Sequence, residues 1–130
     1  MDVYAATFQA LSDPTRLRIV ALLSHAGKEL CVCELVDSLE EPQYHVSRSL
    51  ARLKKAGLVS ERPEGKWVYY SLPNHDSEFR TLLMKTVAAI PEAALRKDQR
   101  ELVKRLKLRT GGKCLTGPRK THLLSRRGEQ

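Results

Sequence analysis

Long apolar runs are missing from this chain. No stretch reaches the roughly 18 consecutive apolar residues that a membrane-spanning helix needs. The start, Met1-Asp2-Val3-Tyr4, has neither the basic region nor the apolar core of a secretory signal, so a cytoplasmic protein is expected. Cysteine is sparse: three residues, an odd number, cannot form a closed disulfide framework, and in a reducing compartment they are expected to be thiols. Also missing are a Ser/His/Asp set, a glycine-rich phosphate loop and paired carboxylates, which leaves little for an enzyme. Cys31 with His25 nearby in sequence is the one candidate pair for a small cysteine enzyme. Acidic residues become rare beyond residue 95, where 12 Lys/Arg face 3 Asp/Glu. Residues 1–95 carry 11 Lys/Arg against 12 Asp/Glu, so the net charge of +8 belongs to the C-terminal part. Any nucleic-acid contact by the body must come from clustered cations and not from bulk charge.

What is present is a chain of 130 residues, suited to one domain and a tail. Val3, Tyr4, Thr7, Phe8 and Leu11 have helical spacing. Asp13-Pro14 is a helix start, and Gly27 is a left-handed stop for a helix that is apolar nearly all round and therefore buried. Leu30–Leu39 reads as a short helix, broken by Glu40-Glu41-Pro42. Pro42 opens a further helix to about Ala56, with Val46, Leu50 and Leu53 inward and polar residues outward. Two short helices joined by a tight turn match a helix-turn-helix. The segments 58–62 and 67–72 read as strands around a turn at 63–66, a hairpin wing. A helix is expected from Pro73-Asn74 with a stripe of Phe79, Leu82, Leu83, Thr86, Val87 and Ile90. The expected domain plan is a body over 1–92, a basic helix over 93–110, and a flexible basic tail over 111–130. That tail either adds salt-sensitive attraction to phosphates or serves as a solvated appendage.

The motifs Leu11-Ser12-Asp13-Pro14-Thr15-Arg16-Leu17-Arg18-Ile19, Glu29-Leu30-Cys31-Val32-Cys33-Glu34-Leu35, Val46-Ser47-Arg48-Ser49-Leu50, Ala56-Gly57-Leu58-Val59 and Glu64-Gly65-Lys66-Trp67-Val68-Tyr69-Tyr70 occur in order. Together they resemble the ArsR/SmtB family of bacterial repressors over roughly residues 1–92, with Cys-Val-Cys as in its arsenic-sensing branch. The resemblance implies a fold that is mainly α with a small β-hairpin wing: a winged helix-turn-helix homodimer that blocks a promoter until an inducer binds. It also implies a dimer seam on the first and last body helices, with Tyr4, Phe8, Phe79, Leu82, Leu83, Val87 and Ile90 as candidates. Three positions depart from the pattern. Val36 stands where a third cysteine is frequent, Ser49 where histidine is frequent, and Pro42 where a small polar residue is frequent. His75 and Asp76 lie near the start of the last body helix, but no His or Glu pair follows near its end, so a zinc site of the Asp/His kind is not expected.

Thiolates are soft ligands, and As(III), Sb(III), Zn(II) or Cd(II) would accept two of them. On a regular helix, residues i and i+2 point about 200° apart. Cys31 and Cys33 therefore meet one ion only if the first turn distorts or the pair lies outside it. Cys114, after Gly111-Gly112, is a free tail thiol or an optional third ligand. As(III) prefers three sulfurs, whereas structural zinc takes four ligands, so three cysteines fit an As(III) or Sb(III) inducer better, with no constitutive cofactor. The alternatives left open are a zinc/cadmium- or redox-sensing repressor using the same thiols. For double-stranded operator DNA, Gln43, Tyr44, Ser47, Arg48, Arg52 and Lys55 occupy the free face of the second helix, and Arg62 and Lys66 flank the wing tip. Gln43 suits adenine and Arg48 suits guanine.

Overall fold

The computed structural model describes residues 1–74 and 77–119. His75, Asp76 and residues 120–130 lie outside the described residues. In chain order the elements are α1 (Asp2–Leu11), α2 (Pro14–Ala26), β1 (Leu30–Cys31), α3 (Val32–Leu39), α4 (Gln43–Lys55), β2 (Ser60–Glu64), β3 (Trp67–Ser71), α5 (Glu78–Ala88) and α6 (Glu92–Leu106).

Local chemistry sets most of these boundaries. The Arg16 amide donates to the Asp13 carboxylate at 3.0 Å, Pro14 occupies the first turn, and Gly27 closes α2 at φ 62°. Ile19, Val20, Leu22 and Leu23 on α2 are buried and form the centre of the core. Helix α4 follows its N-cap Pro42 and turns Val46, Leu50 and Leu53 onto α2 and α3. Ser77, not Pro73-Asn74, caps α5: its hydroxyl accepts from the Arg80 amide, and the helix begins at Glu78.

The sheet is antiparallel in the order β1-β3-β2. Gly65, at φ 61°, makes the wing turn. Strand β2 starts at Ser60 and not at Leu58, because Leu58 and Val59 are buried against the core before the chain reaches the wing. A two-residue strand, β1, takes the place of the expected first turn of helix Leu30–Leu39. Leu30 pairs with Tyr70 and Cys31 with Tyr69, because β3 offers an open edge there.

No boundary separates the body from the basic helix expected over 93–110. Leu95 and Leu102 of α6 join the core, and α6 packs along α3. The expected flexible tail is likewise corrected over its first part. A bridge between Thr110 and Lys113 turns the chain after α6, and residues 107–119 form a strap across α3 and β3. Buried acids hold it. Glu34, 0% exposed, accepts from Arg109 at 2.6 and 2.7 Å. Asp37 faces the Arg105 guanidinium at 2.8 Å and accepts the Arg119 amide at 2.9 and 3.0 Å. About two turns earlier on α6, Asp98 receives Arg18 at 2.7 and 2.9 Å. Buried charges persist in a core only when paired, and each of these is.

Candidate functional site

Strand β1 ends where α3 begins, and that junction positions the thiols. Cys31 is the N-cap of α3, with extended backbone, and Cys33 sits within its first turn. Cys31 forms a capping box with Glu34: its amide donates to Glu34 Oε1 at 3.0 Å. Because Cys31 lies outside the helix, the 200° separation of a regular helix does not apply, and the two side chains fall in one buried cluster.

The strap supplies the third thiol. Cys114 Sγ lies 2.7 Å from Cys31 Sγ, and the Cys114 amide donates to Tyr69 Oη at 2.8 Å. Cys31, Cys33, Tyr69 and Cys114 form one buried cluster with Trp67 against it. Cys31 and Cys114 are each 1% exposed and Cys33 is 9% exposed. Cys114 is thus not a free tail thiol. Val36, at the slot where a third cysteine was sought, is buried in the main core.

The electrostatics differ among the three sulfurs. The neighbouring Cys31 holds the Cys33 thiol below its usual range, while Cys33 and burial push Cys31 up. Burial, and then the contact with Cys31, pushes Cys114 up to about 12. Arg105 Nη2 approaches Cys114 Sγ at 3.8 Å and holds the strap through the Thr116 carbonyl and, at 3.2 Å, that of Gly117. A Glu34 oxygen shares a 4.8 Å neighbourhood with Cys31 Sγ and Cys114 Sγ. That carboxylate is already engaged by Arg109 and the Cys31 amide. A buried cluster of three thiols beside a committed carboxylate suits a soft ion that takes sulfur ligands.

Tyr69 and Arg105 were not singled out from sequence. The signal for Arg105 was its spacing: Arg105 on α6 and Arg109 just beyond its end, four positions apart, complement Glu34 and Asp37 at i, i+3 on α3. His25 is exposed at the end of α2, whereas Cys31 is buried among the other thiols and Tyr69.

The second surface is the outer face of α4. Gln43, Ser47, Arg48, Arg52 and Lys55 are exposed there, and Tyr44 is half-buried. Arg16, which sequence reasoning also passed over, joins Tyr44, His45, Arg48, Ser49 and Arg52 around an open groove of about 340 Å³. Ser49 is buried beneath it, so it supports the helix and does not face outward. On the wing, Arg62 is not free as expected. It holds Glu29 with Nε and Nη2, at 2.9 and 2.8 Å, bonds Glu64 at 3.0 Å, and lies 4.9 Å from the Tyr69 ring. Lys66 is exposed at the turn, 5.1 Å from the Trp67 ring.

The seam candidates divide. Tyr4, Phe8 and Leu82 are exposed, and Phe79 receives Tyr4 and Phe8 edge-on at 4.9 and 5.7 Å. Leu83 and Val87 are buried inside the protomer, and Ile90 packs against the same core. Their side of α5 faces α2, which takes them out of the exposed stripe.

Residues 13–61, the span from the α2 cap through α4 to the first wing strand, match the family described as "Bacterial regulatory protein, arsR family". An arsenic resistance transcriptional regulator of Pseudomonas putida, ArsR2, is 43% identical over 83 residues, covering 63% of this chain and 71% of that protein. The chain belongs to the arsR family. The arsenical resistance operon repressor of Escherichia coli is 52% identical over 68 residues, which are 52% of this chain and 57% of the repressor; the match spans little more than half of that relative's length. Among solved structures, HlyU from Vibrio cholerae is 30% identical with a TM-score of 0.56, covering 67% of this chain and 92% of HlyU. The arsR family is one of transcriptional regulators and not of enzymes, and this chain has its winged helix-turn-helix fold. No helix among the described residues is long and apolar enough to cross a membrane.

Proposed function

We propose that this arsR-family protein is a transcriptional repressor that binds operator DNA as a homodimer and lets go when As(III) or Sb(III) is captured by Cys31, Cys33 and Cys114. The observation that carries this reading is the convergence of three buried thiols from two distant parts of the chain. The names of the Escherichia coli and Pseudomonas putida relatives support arsenic as the signal. Arsenious acid is neutral and carries three hydroxyl groups. Each thiol replaces one hydroxyl and releases one water, so the product is a neutral arsenic(III) centre bonded to three sulfurs. A zinc or cadmium ion would need a fourth donor, and Glu34, the nearest carboxylate, is committed to Arg109.

The DNA-reading surface is α4, with Gln43, Tyr44, Ser47 and Arg48 nearest its N-terminal half and Arg52 and Lys55 toward its end. Lys66 at the wing turn adds a phosphate contact, while Arg62 orders the wing. The seam is formed by Tyr4, Phe8, Phe79 and Leu82, beside a cavity of about 480 Å³ that Val3, Tyr4 and Phe79 help to line. Cys31 belongs to β1, caps α3 and opposes Tyr69 of the wing. Capture of the inducer at that residue therefore pulls on the wing and on the helix preceding α4 together.

The test is an operator-DNA titration followed by fluorescence anisotropy, with and without arsenite. Arsenite is expected to weaken binding roughly 5–150-fold, the range of a coupling of about 1–3 kcal/mol. The double variant Cys31→Ser, Cys33→Ser is expected to bind DNA as before and to ignore arsenite. Arsenite release that survives in that variant would refute the scheme.

A further inference from the structure

We propose that Cys31 and Cys114 form a reversible disulfide, an oxidation latch that closes the same pocket to its inducer. Their Sγ atoms stand 2.7 Å apart, although 83 positions separate the residues in the chain. Strap contacts on both sides of Cys114 hold its thiol in place: its own amide bonds Tyr69 Oη at 2.8 Å, Arg105 grips the Thr116 and Gly117 carbonyls, and the Arg119 amide is fixed on Asp37 at 2.9 and 3.0 Å. A disulfide has a sulfur separation of about 2.05 Å, so closure requires a movement of less than about 1 Å. Cys33 completes the chemistry. It is 9% exposed against 1% for its two partners, and it lies in one buried cluster with them. A small oxidant meets Cys33 first.

With hydrogen peroxide as the oxidant the steps balance. The Cys33 sulfur attacks one peroxide oxygen, the O–O bond breaks, one water leaves, and Cys33 becomes a sulfenic acid. The Cys31 sulfur then displaces that hydroxyl, which departs as a second water with the Cys31 proton. The resulting Cys31–Cys33 bond spans a single intervening residue and is strained. The Cys114 sulfur attacks Cys31, and Cys33 leaves as a thiol carrying the Cys114 proton. Overall, two thiols lose two electrons and two protons, and one peroxide becomes two waters. The product leaves Cys33 as the one free sulfur of the cluster. The gating consequence rests on the proposed metalloid reading; the disulfide itself does not.

The experiment uses the full chain, reduced, freed of small thiols and treated with hydrogen peroxide. Free thiols are alkylated and the cross-links mapped by peptide mass spectrometry. The expected species is an intramolecular Cys31–Cys114 bond with Cys33 alkylated. Arsenite affinity, read from Trp67 fluorescence, is expected to fall at least tenfold and to return with dithiothreitol. Cys33→Ser is expected to form the same bond at equilibrium in a dithiothreitol redox buffer while reacting with peroxide at least tenfold more slowly. Cross-links between two copies, a final Cys31–Cys33 bond, or Cys33 sulfinic acid alone would overturn the latch. Unchanged arsenite affinity in the cross-linked protein would overturn the gating. A reduced protein that never responds to arsenite would sink the metalloid reading and leave the mapped bond standing.

Discussion

Cys114 shows how far a single residue's meaning depends on its surroundings. Burial and the neighbouring Cys31 push its thiol up to about 12, so it stays protonated across the neutral range. Arsenious acid exchanges hydroxide for thiol without net proton release while the thiols are protonated. A divalent cation must expel a proton for each thiol it takes. Lowering the pH from 8 to 6 is therefore expected to leave arsenite affinity within about threefold and to weaken cadmium by about a hundredfold or more, one factor of ten per unit for each proton released. Isothermal titration at both pH values checks this; arsenite affinity falling as steeply as cadmium's would contradict it. Arg109 offers a second residue-scale prediction. Its removal leaves Glu34 buried and unpaired, a loss of about 3–5 kcal/mol. In urea denaturation Arg109→Met should be destabilised by that amount, and adding Glu34→Gln should restore a large part of it. Additive losses would mean the pair is not coupled.

At the scale of elements, α4 and the wing carry different loads. Arg48 and Arg52 are exposed on α4 beside Arg16, whereas Arg62 is spent on Glu29 and Glu64. Arg48→Ala is expected to cost about 1–3 kcal/mol in operator binding and to relax specificity, and Arg52→Ala to reduce the salt slope by about one. Arg62→Ala should change stability by less than about 1 kcal/mol, as exposed ion pairs do, with a smaller effect on DNA affinity than either α4 arginine. An Arg62→Ala loss larger than that of Arg48→Ala in the same salt titration would reverse these roles. Much of the element plan was legible in the sequence. The Asp13-Pro14 start, the Gly27 stop and the inward trio of α4 all follow from local chemistry. Strand β1 was not legible, since two residues carry no periodicity and their pairing depends on β3, a partner distant in sequence.

For the whole molecule, the exposed aromatic and aliphatic cluster is the surface proposed as the seam. Val3, Tyr4, Phe8 and Leu82 are too apolar a set to leave in water beside a cavity. Phe8→Asp is expected to yield a folded monomer in sedimentation velocity at micromolar concentration, with operator affinity lost. Leu83→Ala acts differently because Leu83 lies within the protomer; it should lower unfolding stability by about 2–5 kcal/mol. A Phe8→Asp protein that sediments as a dimer would remove α1 from the seam.

Composition and pattern alone determined the helix-turn-helix, the wing, the dithiol and the cationic face, because periodicity, caps and turn residues act over a few positions. They could also show that positive charge gathers beyond residue 95. Where that charge goes was decided only in three dimensions: Arg105 and Arg109 turn inward onto Asp37 and Glu34, and the strap they anchor brings Cys114 to Cys31. The physical reason is separation along the chain. A buried ion pair and a sulfur contact between segments about 70 to 80 residues apart leave no local signature, and burial by the folded core is what makes both of them strong.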